Sequence, residues 1–384
     1  MLKKNKIVGY LSFFITLIGF IGLLIFTSEC LSAAKKAIDL CTNVIIPSLF
    51  PFFVFSSMFI SSGVCEKTQK PLGKIMRPLF NVSGSCAAAF VLGLLSGFPV
   101  GAKTAVSLYE RGLCTKSEAE RVLAFCNNAG PFFILGTVGV GIWQSSEAGW
   151  ILWGSQAISA ILTGMIFGHL WKRHDHPPKT YAVFSERRSP LLKSFYSAVG
   201  GGAKSMVPIC AFIIFFAVIV ALLQSFGFIG TCASFLSKIF PVLSEKTTAD
   251  ILSGFFEMTT GISSLGNGTP LVQGLTLTGA LLGWAGLSVH CQVLSFVYES
   301  GLSTRPYFYG KLMQTAFSTA ITFLFSMFFT LPAGKDVFVN YSASGVSALS
   351  PSALFALCSA VSVFLLSLFL IISEVTSKKI RKRS

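Results

Sequence analysis

The chain has 384 residues, of which 53% are hydrophobic and only 12% charged, and its mean hydropathy is +0.72. A soluble domain could not cover itself with so few charges, so a soluble enzyme is excluded and a polytopic membrane protein is expected. Thirty Lys and Arg against 15 Asp and Glu give a net charge of +15. In a soluble chain that would suggest nucleic acid, but the basic residues gather in short loops and at both ends, as the positive-inside bias arranges them, and no nucleic-acid partner is expected.

Lys3, Lys4 and Lys6 precede an apolar run from Ile7 to Phe26. It is too long for the core of a signal peptide and has no small-residue cleavage site at Ser28-Glu29, so it reads as a first span. A second apolar stretch, Ile38 to Ser62, carries Pro47 and Pro51 and leads into a basic segment with Lys67, Lys70, Lys74 and Arg77. Cys86 to Leu95 and Val100 to Leu108, split by Ser96-Gly97-Phe98-Pro99, are each too short to cross a bilayer and read together as a re-entrant hairpin. Thr115 and Glu118 stand at capping-box spacing before a helix that runs through Asn127-Asn128-Ala129-Gly130-Pro131 to Trp143, which predicts one crossing with a break in it.

Trp150 to Trp171 reads as an uninterrupted span between interfacial tryptophans, and the loop Lys172 to Lys193, with six cations, as cytoplasmic. Met206 to Phe226 crosses back and Phe228 to Lys246 forms an interfacial linker. Ala249 to Phe256 and Gly261 to Leu265 flank Glu257-Met258-Thr259-Thr260 as a second hairpin, and Leu275 to Tyr298 is broken at Gly283-Trp284-Ala285-Gly286. Leu312 to Leu331 and Ala353 to Ile372 close the chain before a basic tail. The expected fold is all-α, with about eight spans plus two re-entrant hairpins and both termini cytoplasmic.

The order span, hairpin, broken helix occurs twice. Leu95-Ser96-Gly97-Phe98 recurs as Leu252-Ser253-Gly254-Phe255 and Ala129-Gly130 as Ala285-Gly286, at offsets of 157 and 156 residues. The first copy begins outside and the second inside, so the two form an inverted pair of the kind many secondary transporters use. The expected organisation is 1–37 as N-terminal span and connection, 38–171 as first repeat with a following span, and 172–205 as basic loop. Residues 206–309 make the second repeat and 310–384 two last spans with the tail. Substrate and coupling-ion sites are expected near the midplane, where hairpin tips and helix breaks expose backbone groups that lipid would not tolerate.

The segments Ser96-Gly97-Phe98-Pro99-Val100-Gly101-Ala102-Lys103, Cys126-Asn127-Asn128-Ala129-Gly130-Pro131 and Gly286-Leu287-Ser288-Val289-His290-Cys291-Gln292 resemble the YlbJ (SpoVV) family of sporulation integral membrane proteins. That family belongs to the nucleoside-recognition or Gate-domain group and is similar in repeat layout to concentrative nucleoside transporters. The resemblance implies a role in endospore formation, moving dipicolinate from mother cell towards forespore, in the bacterial inner membrane or the outer forespore membrane. It also admits an oligomer and other sporulation proteins as partners. Two alternatives stay open: a carrier of nucleosides or other heterocycles, and a non-transporting scaffold of a sporulation complex.

Candidate pathway residues follow from the two tips and breaks. At the first tip they are Ser96, Gly97, Pro99, Gly101 and Lys103, and at the first break Asn127 and Asn128. Ser253, Gly254, Glu257, Thr259 and Thr260 belong to the second tip, and Ser288, His290 and Gln292 lie beyond the second break. Glu257, an ionisable group at membrane depth, suggests proton or cation coupling; the bland reading is a solvated interfacial carboxylate. Lys103 could face an organic anion or snorkel to headgroups. The polar residues could line a cavity or glue helices together, and His290 could simply be a satisfied buried histidine. His174-Asp175-His176 lacks further ligands, and the ten cysteines form no CxxC pair and read as packing residues. No metal, cofactor, nucleotide loop or catalytic constellation is expected, and the chain is read as no enzyme.

Overall fold

A computed structural model describes residues 2–61, 64–170, 191–239, 241 and 243–328. The described residues are helices and their connections, with no strand. Helix α1 (Leu2–Ile25) leaves Phe13, Phe14, Phe20 and Leu24 exposed and meets the next helix at a bend of 94°. The second stretch starts at Thr27, eleven residues before the expected Ile38: α2 (Thr27–Leu40), a π-helical turn (Cys41–Ile45) and α3 (Ile46–Ser61) follow without interruption. Nothing between Thr27 and Leu40 breaks a helix, and the wide turn stands just ahead of Pro47, whose nitrogen cannot donate. The basic segment is itself a helix, α4 (Val64–Phe80), exposing Lys70, Lys74 and Arg77 while burying Met76, Leu79 and Phe80.

Helices α5 (Ala87–Ser96) and α6 (Val100–Glu110) form the first hairpin, with its tip at Gly97–Pro99. The Thr115 hydroxyl accepts from the Glu118 nitrogen at 3.1 Å and the Glu118 carboxylate accepts from the Thr115 nitrogen at 2.9 Å. This capping box opens α7 (Lys116–Leu123) as expected. Residues 127–130 are non-helical, and a π-helix (Phe132–Ile142) and α8 (Ser146–Leu170) complete the first half. The loop expected to reach Lys193 gives way at Leu191 to α9 (Leu191–Ser225), 35 residues long. The expected linker contains α10 (Phe228–Ile239).

The second hairpin pairs α11 (Glu245–Phe256) with α12 (Met258–Leu265) across the single residue Glu257. Helices α13 (Leu271–Trp284) and α14 (Gly286–Ser300) meet at Ala285, whose φ of 79° turns the chain. Last comes α15 (Arg305–Phe328).

The two halves interlock reciprocally. Past the second break α14 packs on α6 of the first hairpin, and past the first break the π-helix packs on α12 of the second. Helix α15 braces both halves, lying against α13 and α8. Its buried stripe is Lys311, Gln314, Ser318, Thr322 and Ser326, while Leu312, Phe323, Leu324 and Met327 face outward. A polar inner stripe with an apolar outer face is the reverse of a soluble helix and fits one facing lipid.

Among the described residues, three helical stretches are long and apolar enough to cross a membrane: Ser146–Leu170, Ser194–Ser225 and Leu271–Ser300. Counting each of two bent pairs as one span gives five. The last expected crossing, the tail, and the loop with His174-Asp175-His176 lie outside the described residues. The four-residue match between hairpins is one turn out of step with the structure. Gly97 ends α5 at the tip, whereas Gly254 lies inside α11, facing Gly261. The counterpart of the Gly254–Gly261 approach is Gly93 with Gly101: a Cβ on Gly93 would come 3.0 Å from the Gly101 Cα. In both hairpins a glycine on each arm lets the backbones touch.

Candidate functional site

Each hairpin tip rests on the helix break of its own half, and glycine makes both contacts. Gly97 has a φ of 91°, and a Cβ there would come 2.6 Å from the Gly130 nitrogen. Gly286 has a φ of 78°, and its Cβ would come 3.0 Å from the Met258 nitrogen. A left-handed backbone with no room for a side chain requires glycine.

Between the two tip-and-break pairs lies a cavity open at its mouth, with about 620 Å³ of empty space when the open solvent is counted. The first half contributes Ser96, Gly97, Phe98, Ala129, Gly130, Phe132 and Phe133, and the second Glu257, Met258, Thr259, Ser288, Val289 and Gln292. Helices α3 and α9 close the remaining sides with Phe52, Leu49, Ile209 and Ile213, and Ile45 of the π-helical turn joins them. Aromatic walls with a few convergent polar groups make a site for a small organic molecule.

Glu257 is the sole ionisable residue lining the cavity among the described residues, and it is 2% exposed. It stands as N-cap of α12. One carboxylate oxygen, Oε2, accepts from the Thr260 nitrogen at 2.7 Å, the Thr260 hydroxyl at 2.9 Å and the Thr259 hydroxyl. A capping carboxylate at a helix N-terminus is held in place by the helix dipole and by these donors. The structure records no hydrogen bond to Oε1 among the described residues. In the same cavity lining, the hydroxyls of Ser96 and Ser288 and the Gln292 amide nitrogen are buried with no partner among the described residues. Buried polar atoms of this kind call for a ligand or ordered solvent.

The sequence candidates divide into two groups. Ser96, Gly97, Glu257, Thr259, Ser288 and Gln292 line the cavity; Thr260 holds Glu257 from behind. Pro99, Gly101 and Gly254 shape the hairpins without lining it. Ser253 accepts from Gln224 of α9 at 3.1 Å, tying the second hairpin to that helix. His290 sits behind the wall, its Nδ1 2.8 Å from the Tyr307 hydroxyl and its ring edge-on to Trp284 at 4.4 Å. Trp284 in turn stacks on Phe255 at 5.1 Å and donates to its carbonyl.

Asn127 and Asn128 also stand behind the cavity, where Ala129 and Gly130 form the wall. The Asn127 backbone and the Asn128 side chain are held from α15, starting with a lysine that the sequence patterns left inconspicuous, while the Asn127 side-chain amide has no partner among the described residues. Lys311, 0% exposed, donates from Nζ to the Asn127 carbonyl at 3.1 Å and to Gln314 Oε1 at 3.0 Å. Gln314 donates to Asn128 Oδ1. The break frees carbonyls from helical pairing, and a lysine reaching across from α15 satisfies one of them. The spacing of Lys311, Gln314, Ser318 and Thr322 along an otherwise apolar helix carries the signal. It was missed because the predicted span began at Leu312.

Lys103 does not reach the central cavity. Its ammonium bonds to Ser205 of α9, lies 4.9 Å from the Phe53 ring centre and lines a separate pocket.

Residues 43–142, which include the first hairpin, the first break and its π-helix, match the family described as nucleoside recognition (Gate). The chain is 29% identical over 312 residues to the sporulation integral membrane protein YlbJ of Bacillus subtilis (strain 168). That alignment covers 76% of this chain and 76% of the relative. Among solved structures, a double variant of CNTnw in an outward-facing state aligns over 84% of this chain and 85% of that one. The TM-score is 0.50 and the identity 14%. This likeness concerns the fold, an all-helical integral membrane architecture with repeats like those of concentrative nucleoside transporters.

Proposed function

We propose that the chain is a secondary carrier, with no chemical turnover, that binds a small heterocyclic solute in the cavity between the two hairpin tips. The observation that carries this reading is the convergence there of Glu257 and the unpartnered Ser96, Ser288 and Gln292. Tips that touch their helix breaks through glycine can part without breaking side-chain packing, which suits alternating access.

The solute we favour is dipicolinate, moved from mother cell towards forespore, a task consistent with the sporulation relative. Phe98, Phe132 and Phe133 would hold its ring. A carboxylate 4 Å from an ionised Glu257 would be repelled by about 4 kcal/mol at an effective dielectric constant of 20. A dianion therefore enters only with a proton or metal cation that neutralises Glu257, and this makes Glu257 the coupling residue. Both termini are placed in the cytoplasm by their lysines and arginines, and the membrane is the bacterial inner membrane or the outer forespore membrane. Self-association and other sporulation proteins are compatible with this reading.

A nucleoside is the second candidate, favoured by the free Glu257 Oε1, which could accept from a sugar hydroxyl, and by the description of the matched family. The test is uptake of labelled dipicolinate by proteoliposomes, with and without an imposed pH gradient, and with unlabelled nucleosides as competitors. Saturable uptake that Glu257→Gln abolishes or uncouples from the gradient is expected. Competition by uridine but not by phthalate would move the assignment to nucleosides. Absence of uptake of either solute by folded protein would leave the scaffold reading.

A further inference from the structure

A second pocket, with about 440 Å³ of empty space when open solvent is counted, lies between α3, α6 and α9. It stands beside the central cavity, because α3, α9 and the first hairpin line both, the cavity through the hairpin's tip and the pocket through α6. On α3 the cavity takes Leu49 and Phe52 and the pocket Ser56 and Ser57. On α9 the cavity takes Ile209 and Ile213 and the pocket Gly201 and Gly202. Along the first hairpin the cavity ends at Phe98 and the pocket begins at Val100.

The two compartments carry opposite charge. Glu257 is the cavity's ionisable group, whereas Lys103 and Arg111 are those of the pocket among the described residues. Lys103 on α6 and Arg111 at its C-cap are eight residues apart, about 12 Å along the helix axis, with Lys103 half-buried and Arg111 exposed at the outer end. Between them stand the hydroxyls of Ser56, Thr104 and Ser107. Ser56 is 4% exposed and its hydroxyl has no partner among the described residues, where the Lys103 ammonium is met by no carboxylate but by Ser205 and aromatic rings.

We propose that this pocket is a binding site for the carboxylate or phosphate group of a small soluble anion, which it holds before release into the central cavity. A low-dielectric cleft lined by one sign of charge focuses the field and concentrates the opposite ion. A half-buried ammonium with a spare hydroxyl beside it and, among the described residues, no competing anion supplies charge-assisted hydrogen bonds. The division of labour is then physical: the anion is selected at Lys103 and Arg111, and its charge is balanced afterwards at Glu257.

The experiment is equilibrium binding of labelled dipicolinate, with inorganic phosphate as competitor, to the full chain in phosphatidylcholine nanodiscs. Lys103→Gln is expected to weaken binding at least about tenfold and the exposed Arg111→Gln about threefold, in line with an inner and a rim charge. Lys103→Arg keeps the charge and should retain most of the affinity. Lys238→Gln on α10, an equal loss of charge elsewhere, should change nothing, and added salt should weaken wild-type binding.

Three results would overturn the site: no saturable binding of either anion to wild type, no loss in both Lys103→Gln and Arg111→Gln, or an equal loss in Lys238→Gln. Displacement of the label on adding phosphatidylglycerol would assign the pocket to a lipid headgroup and overturn the soluble ligand. The site rests on the carrier reading for its ligand: unchanged binding in both pocket variants overturns this site and leaves the Glu257 cavity and its uptake test untouched, and absent uptake with binding intact removes the carrier reading alone.

Discussion

Glu257 and Lys311 show two ways in which a single charge is kept at membrane depth. Glu257 caps α12 and its carboxylate is held by the Thr259 and Thr260 side chains and the Thr260 nitrogen. Lys311 answers the carbonyl left open at the first break. Replacing it by methionine keeps the volume but leaves the Asn127 carbonyl and Gln314 without their donor. The expected loss is about 1–3 kcal/mol, visible as a lower melting temperature by circular dichroism in detergent. An unchanged or raised melting temperature would mean that desolvating the ammonium costs as much as its bonds return. Glu257 was legible in the sequence because a lone acid in an apolar stretch stands out. Lys311 was not, since a lysine at the edge of a span looks like an interfacial one until the helix is seen to begin at Arg305.

At the scale of elements, the hairpins and breaks depend on backbone conformation more than on side chains. Gly286→Ala puts a Cβ on a left-handed residue and against the Met258 nitrogen, where the conformation alone costs about 1–2 kcal/mol. Uptake by this variant should fall at least about tenfold as the tip is pushed off the break. Gly230→Ala on α10, where a Cβ meets nothing within 4 Å, should instead be neutral or raise stability by up to about 1 kcal/mol. Paired melting and uptake measurements separate the two, and equal behaviour would refute the tip-on-break account. The short lengths of the hairpin arms revealed their existence, but their register did not follow from sequence similarity. The tips differ in length, so Ser253-Gly254 matches Ser96-Gly97 by letter while the arms cross at Gly93–Gly101 and Gly254–Gly261.

At the scale of the whole molecule, the reciprocal packing of α14 on α6 and of the π-helix on α12 means that neither half encloses a site alone. A Cβ on Gly266 would contact the Ile142 side chain across this second junction. Cysteines at Ile142 and Gly266 joined by a short thiol cross-linker should therefore pin the halves together. Uptake is expected to stop on cross-linking and return on cleavage of the linker, with either single variant unaffected by the reagent. Uptake that survives complete cross-linking would show that transport needs no relative movement at this junction. The two-pocket arrangement belongs to this scale too, because α3, α9 and the first hairpin each contribute to both compartments.

The sequence by itself determined that the chain lives in a membrane, that it is helical, that two hairpins and two broken helices recur in order, and that Glu257 lies beside a tip. Composition, apolar run length and Gly/Pro interruptions are local quantities, and lipid punishes any departure from them. Only the tertiary structure decided which polar residues face the cavity. The Asn128 and His290 side chains bond to Gln314 and Tyr307 of α15, Lys103 turns into a second pocket, and Lys311 crosses to the Asn127 carbonyl at the first break. The reason is that inside a helical membrane protein both a binding site and an interhelical contact require polar side chains. Which of the two a residue serves depends on the helix opposite it, and that neighbour is supplied by a distant part of the chain.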